Sequence, residues 1–497
     1  MSSTAESING SNNDRGFFGH PKGLSTLFFT EMWERLSYYG MRAILVLYMT
    51  AELAKGGLQF DTKKAAAIYG LYTSSVYFLP LIGGWIADRF IGAKRATLIG
   101  GVIIAIGHFI LAFPSENFFY GGLVCVAVGT GFLKANISKM VGDLYSAEDA
   151  RRDAGFSIFY MGINIGAFAA PFVCGTLAVY DWHWGFAAAG VGMLLGVIQY
   201  VIGYKNLRGI GEAPIKFSGE ATTGSDASPA YLIQMIALIA AAFGVIYFAG
   251  MPLLPTVVVA GLVAVLLTGM QDKLSAEDWK RLAVIGVLFV FSAIFWMGFE
   301  QAGSSLTLFA EQVTNRQVTA NWEIPTAWLQ AVNPSFIIIF SPIFAALWLY
   351  LGKRQPSDSV KFSFGLFFAG LGFVVLAFAS SLSSAGKVSP WWLVLVYLFH
   401  TFGELCLSPV GLSAMTKLAP GKMVSLMLGV WFLSISMGSY IGGLVAGEFE
   451  AKADVLVDLF TKVAVVTLVG AVILFAISPL VKKLYSKPNE IVPTEPA

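Results

Sequence analysis

The feature that most constrains this chain is a series of apolar stretches, each about twenty residues or longer, recurring from near its start to near its end. Such a stretch is long enough to cross a hydrocarbon core of ~30 Å. Fourteen can be drawn, over 24–50, 65–87, 94–114, 118–141, 153–178, 185–204, 229–249, 252–270, 281–309, 326–351, 362–383, 390–418, 423–449 and 461–481. Backbone N–H and C=O groups in lipid find no water, so each segment must satisfy them internally and reads as an α-helix. Composition agrees where it matters. Only 12% of the 497 residues are charged, against about 25% in a soluble domain, and the mean hydropathy is +0.71.

Several classes of function fall away. A net charge of +2 without a basic tract offers nucleic acid no footing. Cys125, Cys174 and Cys406 lie far apart in apolar stretches, and the four His are scattered. That pattern argues against a disulfide framework, a metal site, a bound cofactor or a nucleophile–base pair, and so against an enzyme. Met1–His20 is polar and lacks the short apolar core of a cleavable signal. Twenty-one of the thirty-two Lys and Arg fall on the two termini and the loops of the same side, and seven on the opposite loops. The excess places both termini in the cytoplasm.

Residues 205–228 are polar and rich in Gly, Ser and Pro, and read as a cytoplasmic linker. The two segments after it, 229–270, carry no charge before residue 270. Setting that pair aside leaves six helices over 24–204 and six over 281–481, between tails 1–23 and 482–497. Two six-helix bundles around a central cavity is the plan of the major facilitator fold, with its site near the membrane midplane between the halves. The loop Gly84-Trp-Ile-Ala-Asp88-Arg89-Phe-Ile-Gly92-Ala-Lys94-Arg95 resembles the GxxxDRxGxxR signature of that superfamily and sits where it should, between the second and third segments. The signature speaks for architecture, not for substrate.

The first segment is the most informative. Glu31, Arg35, Tyr38 and Arg42 fall within roughly 60° of one another on a helix, with Glu34 and Tyr39 flanking the stripe. A charge at the bilayer centre costs about 2.5–3.5 kcal/mol, so four on one helix must face a hydrated cavity or partner charges. Other segments supply partners in Lys134, Glu300 and Glu404, with polar support from Tyr72, Tyr160, Asn164, Asn333 and Ser408. At 1.5 Å rise per residue, Arg42 lies about 27 Å and Glu300 about 28 Å from the inner ends of their helices. Lys134 lies only about 10 Å in, and Glu404 about 20 Å. The depths suggest two gates across the halves, Arg42 with Glu300 outside and Lys134 with Glu404 further in. His108 and His400 lie off the stripe and read as packing residues.

Four stretches, Glu31 to Tyr39 (ExxERxxYY), Phe159 to Ala167 (FYMGINIGA), FWMGFEQ and GELCLSP, together resemble the proton-dependent oligopeptide transporter family, as does the inserted helix pair, a feature of bacterial members. The likeness runs from Gly19 to about residue 480 and departs from the family at Leu36-Ser37. It implies a symporter in the cell inner membrane that imports di- and tripeptides with protons by alternating access. The resemblance assigns Arg35 and Lys134 to the peptide carboxylate, and Glu404 with Asn164 and Asn333 to the amino terminus. It lines the pocket with Tyr38, Tyr39, Tyr72 and Tyr160, packs Trp296 and Trp431 around peptide side chains, and gives proton coupling to Glu31, Glu34 and Arg35. Counting four deep acids against three deep bases adds Glu300 to the coupling candidates. A carrier for another small solute, such as nitrate, is the alternative reading; nitrate has no use for Glu404 in the cavity.

Overall fold

Segments that must close their own backbone hydrogen bonds do so as helices. The computed structural model describes residues 16–146, 149–213, 274–420 and 423–485, with residues 255, 256, 259, 263 and 270. Among them, twelve helices run nineteen residues or more. The N-terminal half holds α1 (Lys22–Thr50), α2 (Thr62–Ile86), α3 (Ala93–Leu111), α4 (Glu116–Asp143), α5 (Arg152–Tyr180) and α6 (Trp182–Gly203). The C-terminal half holds α7 (Ala276–Phe299), the short α8 (Ser305–Gln312), α9 (Val332–Leu351), α10 (Asp358–Leu382), α11 (Trp391–Leu418), α12 (Val424–Ala446) and α13 (Ala453–Tyr485). A two-stranded antiparallel ribbon, β1 (Gln317–Thr319) with β2 (Trp322–Glu323), lies between α8 and α9.

Eleven spans, covering all the long helices except α1, are long and apolar enough to cross a membrane. The charges of Glu31, Glu34, Arg35 and Arg42 account for the exception. Among the described residues, six long helices precede residue 204 and six follow residue 275. The expected total of fourteen is not reached among the described residues, and segments 229–249 and 252–270 lie outside them.

Local chemistry starts and stops these helices. Asp61 accepts the Lys64 backbone N–H at 2.8 Å to cap α2, and Asp181 accepts that of His183 at 2.8 Å to cap α6. Ser275 and Asp278 form a reciprocal capping box at the start of α7. At the signature loop α2 runs into a π-turn over Ala87–Ile91, and Gly92 ends it at φ 80°, where a side chain would be strained. The polypeptide beyond α6 then docks on this loop: Lys94 N–H donates to Gly211 O at 2.9 Å, and Lys94 Nζ pairs with Glu212 at 2.9 Å.

Two expected helices differ in detail. Residues 281–309 are not one helix, because α7 ends at Phe299, a 3₁₀ turn covers Glu300–Gly303, and Ser304 departs from helical geometry before α8 begins. Residues 326–331 are likewise a 3₁₀ turn leading into α9. Both breaks fall where the halves meet.

Within the N-terminal half α1 packs on α5 and α6, and α4 on α2 and α3. The C-terminal half repeats the logic, with α10 packed on α11 and α13 and α7 on α12. Between halves, α2 packs on α12, and α5 packs on α9 and on the turn before it. Glycine permits the first of these contacts: a Cβ on Gly70 would meet the Gly443 Cα at 2.8 Å. At the N-terminal end, His20 Nδ1 and the Tyr145 hydroxyl lie 2.9 Å apart, and Arg151 donates to Gly19 O at 3.0 Å and pairs with Asp149 at 2.8 Å. Burial and the Arg151 charge hold the His20 imidazole below its ordinary range, and hydrogen bonds from Arg151 hold the Asp149 carboxyl low.

Candidate functional site

The stripe on α1 faces the interior between the halves, and its charges are buried. Arg35 Nε donates to Glu31 Oε1 at 2.8 Å and lies 2.7 Å from Glu34 Oε2, so two carboxylates share one guanidinium. The i, i+4 spacing of Glu31 and Arg35 makes the first contact local to the helix. The Arg35 guanidinium carbon also sits 5.7 Å from the Tyr38 ring centroid, and Tyr38 and Tyr39 meet edge to face.

Seven residues toward the far end of α1, Arg42 Nη2 contacts Glu300 Oε2 at 2.9 Å across the halves. This is the contact that the depth arithmetic matched. The 3₁₀ turn after α7 carries Glu300 there. Arg42 Nε donates to the Tyr69 hydroxyl at 2.6 Å, and that hydroxyl lies 3.4 Å from Glu300 O. All three side chains are buried.

Lys134 and Glu404 do not form the expected pair. Lys134 on α4 makes no ion pair among the described residues, and its Nζ stands 3.7 Å from the Tyr77 ring centroid. Glu404 on α11 accepts from Asn333 Nδ2 at 3.3 Å, and the same amide donates to Thr401 Oγ1 at 2.9 Å. The helices that carry Lys134 and Glu404 belong to opposite halves, and each side chain is half-buried. Asn164 Nδ2 turns back to its own helix, donating to Tyr160 O at 2.9 Å, while Tyr160 is 40% exposed.

Several buried polar atoms have no hydrogen-bond partner among the described residues: Arg35 Nη2, Glu31 Oε2, the Tyr38 and Tyr72 hydroxyls, Trp296 Nε1 and Ser408 Oγ. Leaving one such group unmade costs about 1–3 kcal/mol, and native proteins bond nearly all of their buried polar groups. Tyr72 stacks near Tyr38 at 6.5 Å, and Trp296 packs edge-on to Phe299. Trp431 instead packs against Phe362 within the C-terminal half. A cavity bounded by Tyr39, Arg42, Asn333, Tyr397, Phe299 and His400 continues the site toward the Arg42 end. His400 thus borders the cavity as well as packing on Phe373.

Sequence reasoning passed over Tyr69, Tyr77 and Thr401. Tyr69 and Tyr77 stand two turns apart on α2, a spacing that puts them on neighbouring faces, and that was the available signal. Nothing local marked Thr401.

Comparison with known proteins follows the same line. A family model described as the POT family matches residues 94–463. The uncharacterised transporter YclF of Bacillus subtilis is 42% identical over 96% of this chain and 98% of its own. The peptide transporter YePEPT of Yersinia enterocolitica is 39% identical over 95% and 96%. A crystal structure of a peptide transporter POT in complex with sulfate superposes with a TM-score of 0.84 at 42% identity, covering 96% of this chain and 99% of that one.

Proposed function

This chain belongs to the POT family, and from that premise we propose that it imports di- and tripeptides with protons, by alternating access across a bacterial inner membrane. The observation that carries the reading is the division of charge across the cavity. Arg35 and Lys134 stand on the N-terminal half, and Glu404 with Asn333 on the C-terminal half. A zwitterion needs such a pair of walls, its carboxylate meeting the cations and its ammonium meeting Glu404 with Asn333 and Asn164. The unpartnered hydroxyls of Tyr38 and Tyr72 serve the peptide backbone. Tyr39, Tyr160 and Trp296 offer apolar faces that accept many side chains, with Trp431 packed behind them on Phe362, and Ser408 adds a hydroxyl one turn beyond Glu404. An anion such as nitrate gains nothing from a carboxylate in the pocket.

With the termini in the cytoplasm, the Arg42–Glu300 contact lies at the outer end and acts as the closed outer gate. Lys134 and Glu404, unpaired with each other here, form the inner gate when the halves close on that side. Protons enter through the surplus of acids: Arg42 takes Glu300, whereas Glu31 and Glu34 compete for Arg35.

Proteoliposomes test this directly. With the outside acidic, a labelled dipeptide should accumulate, and a protonophore should abolish the accumulation. Glu404→Gln should weaken dipeptides by roughly 1.5–3 kcal/mol, the worth of a charge-assisted bond, while N-acetylated analogues lose little. Uptake indifferent to the gradient, or equal losses for both ligands, overturns the reading.

A further inference from the structure

An open groove runs between the first turns of α1 and the last turns of α6, outside the site described above. Its floor is closed by polar contacts between the two helices. Thr30 Oγ1 donates to Gln199 Oε1 at 2.9 Å, Asn206 Nδ2 to Thr26 Oγ1 at 3.3 Å, and Thr26 Oγ1 to Gly203 O at 3.4 Å. Its wall toward the bilayer middle is apolar, made by Trp33 with Leu195, Ile198 and Ile202, the last three 43%, 47% and 70% exposed. At the mouth stands exposed Lys205, and among the described residues no carboxylate lines the groove. Among the described residues neither Lys205 nor the exposed Arg208 beyond it makes an ion pair.

We infer that this groove is a binding site for one anionic phospholipid of the leaflet at the N-terminal end of α1. The order of chemistry along the groove is that of a phospholipid read from tail to head. Leu195 to Ile202 give about 10 Å of apolar wall along α6, where an acyl chain lies. The Ser25, Thr26 and Asn206 side chains follow at the depth of the glycerol esters. Lys205 then meets the phosphate at the depth where polybasic segments meet anionic headgroups. A neutral lipid fits the apolar wall equally well, so Lys205 at the mouth, with no carboxylate beside it among the described lining residues, selects the anionic one. The site grips α1 on the side opposite its charged stripe, so lipid occupancy bears on the helix that carries Arg35.

The test uses the full chain, delipidated in mild detergent and offered equal phosphatidylglycerol and phosphatidylcholine of the same chains. Retained lipid is counted by native mass spectrometry. Phosphatidylglycerol should be retained roughly five-fold over phosphatidylcholine, the effect of one basic residue near a headgroup. Lys205→Gln should remove the preference and Lys387→Gln, at the opposite end, should preserve it. Ile198→Trp, filling the wall, should lower retention of both lipids. Both Lys substitutions sit at exposed positions, and an unchanged melting temperature shows that they fold. Equal retention of the two lipids by the unaltered chain, or a preference that survives Lys205→Gln, overturns the inference. So does a photo-crosslinker at position 198 that captures residues 229–270 of the chain in place of lipid.

Discussion

Arg42 is held from two sides, by Glu300 at 2.9 Å and by the Tyr69 hydroxyl at 2.6 Å. A hydrogen bond to a charged group contributes about 1.5–3 kcal/mol, so Tyr69 is expected to matter as a positioning residue that acts through Arg42. Tyr69→Phe should shift the balance toward an open Arg42 end, read as longer spin-label distances between α1 and α8. Combined with Glu300→Gln it should give a coupling energy above about 0.5 kcal/mol; strict additivity would show that Tyr69 does not act through the pair. A second prediction concerns His20. Burial and Arg151 hold its folded pKa below the ordinary value near 6.5. The unfolded chain therefore binds the proton first as pH falls, and stability drops below about pH 6.5. The melting temperature of the unaltered protein should fall between pH 7.5 and 5.5 by more than that of His20→Asn; equal falls would remove His20 from the account.

At the scale of elements, α1 and the α2–α12 contact carry opposite burdens. Helix α1 brings four charges into the membrane, each costing about 2.5–3.5 kcal/mol if left to lipid. The structure offsets this by turning them inward, where Glu31, Glu34 and Glu300 neutralise Arg35 and Arg42. The α2–α12 contact needs no charge and depends on the absence of side chains at Gly70 and Gly443. Overpacking of this kind costs typically about 1–3 kcal/mol, so Gly443→Ala should lower the melting temperature and slow transport. A control at Gly121, where a new Cβ meets nothing within 4 Å, should do neither.

At the scale of the whole molecule, the charges that face the space between the halves among the described residues do not balance. Four acids (Glu31, Glu34, Glu300, Glu404) face three bases (Arg35, Arg42, Lys134), and the structure locates the excess. Arg42 takes Glu300, Arg35 is shared by two acids, Glu404 leans on the Asn333 amide, and Lys134 rests over Tyr77. On the proposed reading, a peptide carboxylate arriving at Arg35 would compete with Glu31 and Glu34 for that cation, which would link substrate to proton. Glu31→Gln and Glu34→Gln should each abolish gradient-driven accumulation while sparing peptide counterflow, which needs no net proton movement. Full accumulation in both variants would refute the link.

The sequence by itself determined that the long apolar segments among the described residues are helices, and that α1 carries a stripe of charge. Each rests on local rules: lipid forces helices, and a fixed rise and rotation place residues along and around them. The same arithmetic matched Arg42 to Glu300, because depth along a helix accumulates residue by residue and needs no knowledge of neighbours. Only the tertiary structure decided what lies beside what at a given depth. Depth put Glu404 about 10 Å further in than Lys134 and still suggested a pair, yet Lys134 meets Tyr77 and Glu404 meets Asn333. Lateral distance between halves is set by remote contacts such as Gly70 against Gly443 and by how far the bundles are rocked apart, and no window of sequence encodes either. The break at Glu300–Ser304 is of the same kind, since an apolar run of membrane length gives no local sign that its helix must turn to present Glu300 to the other half.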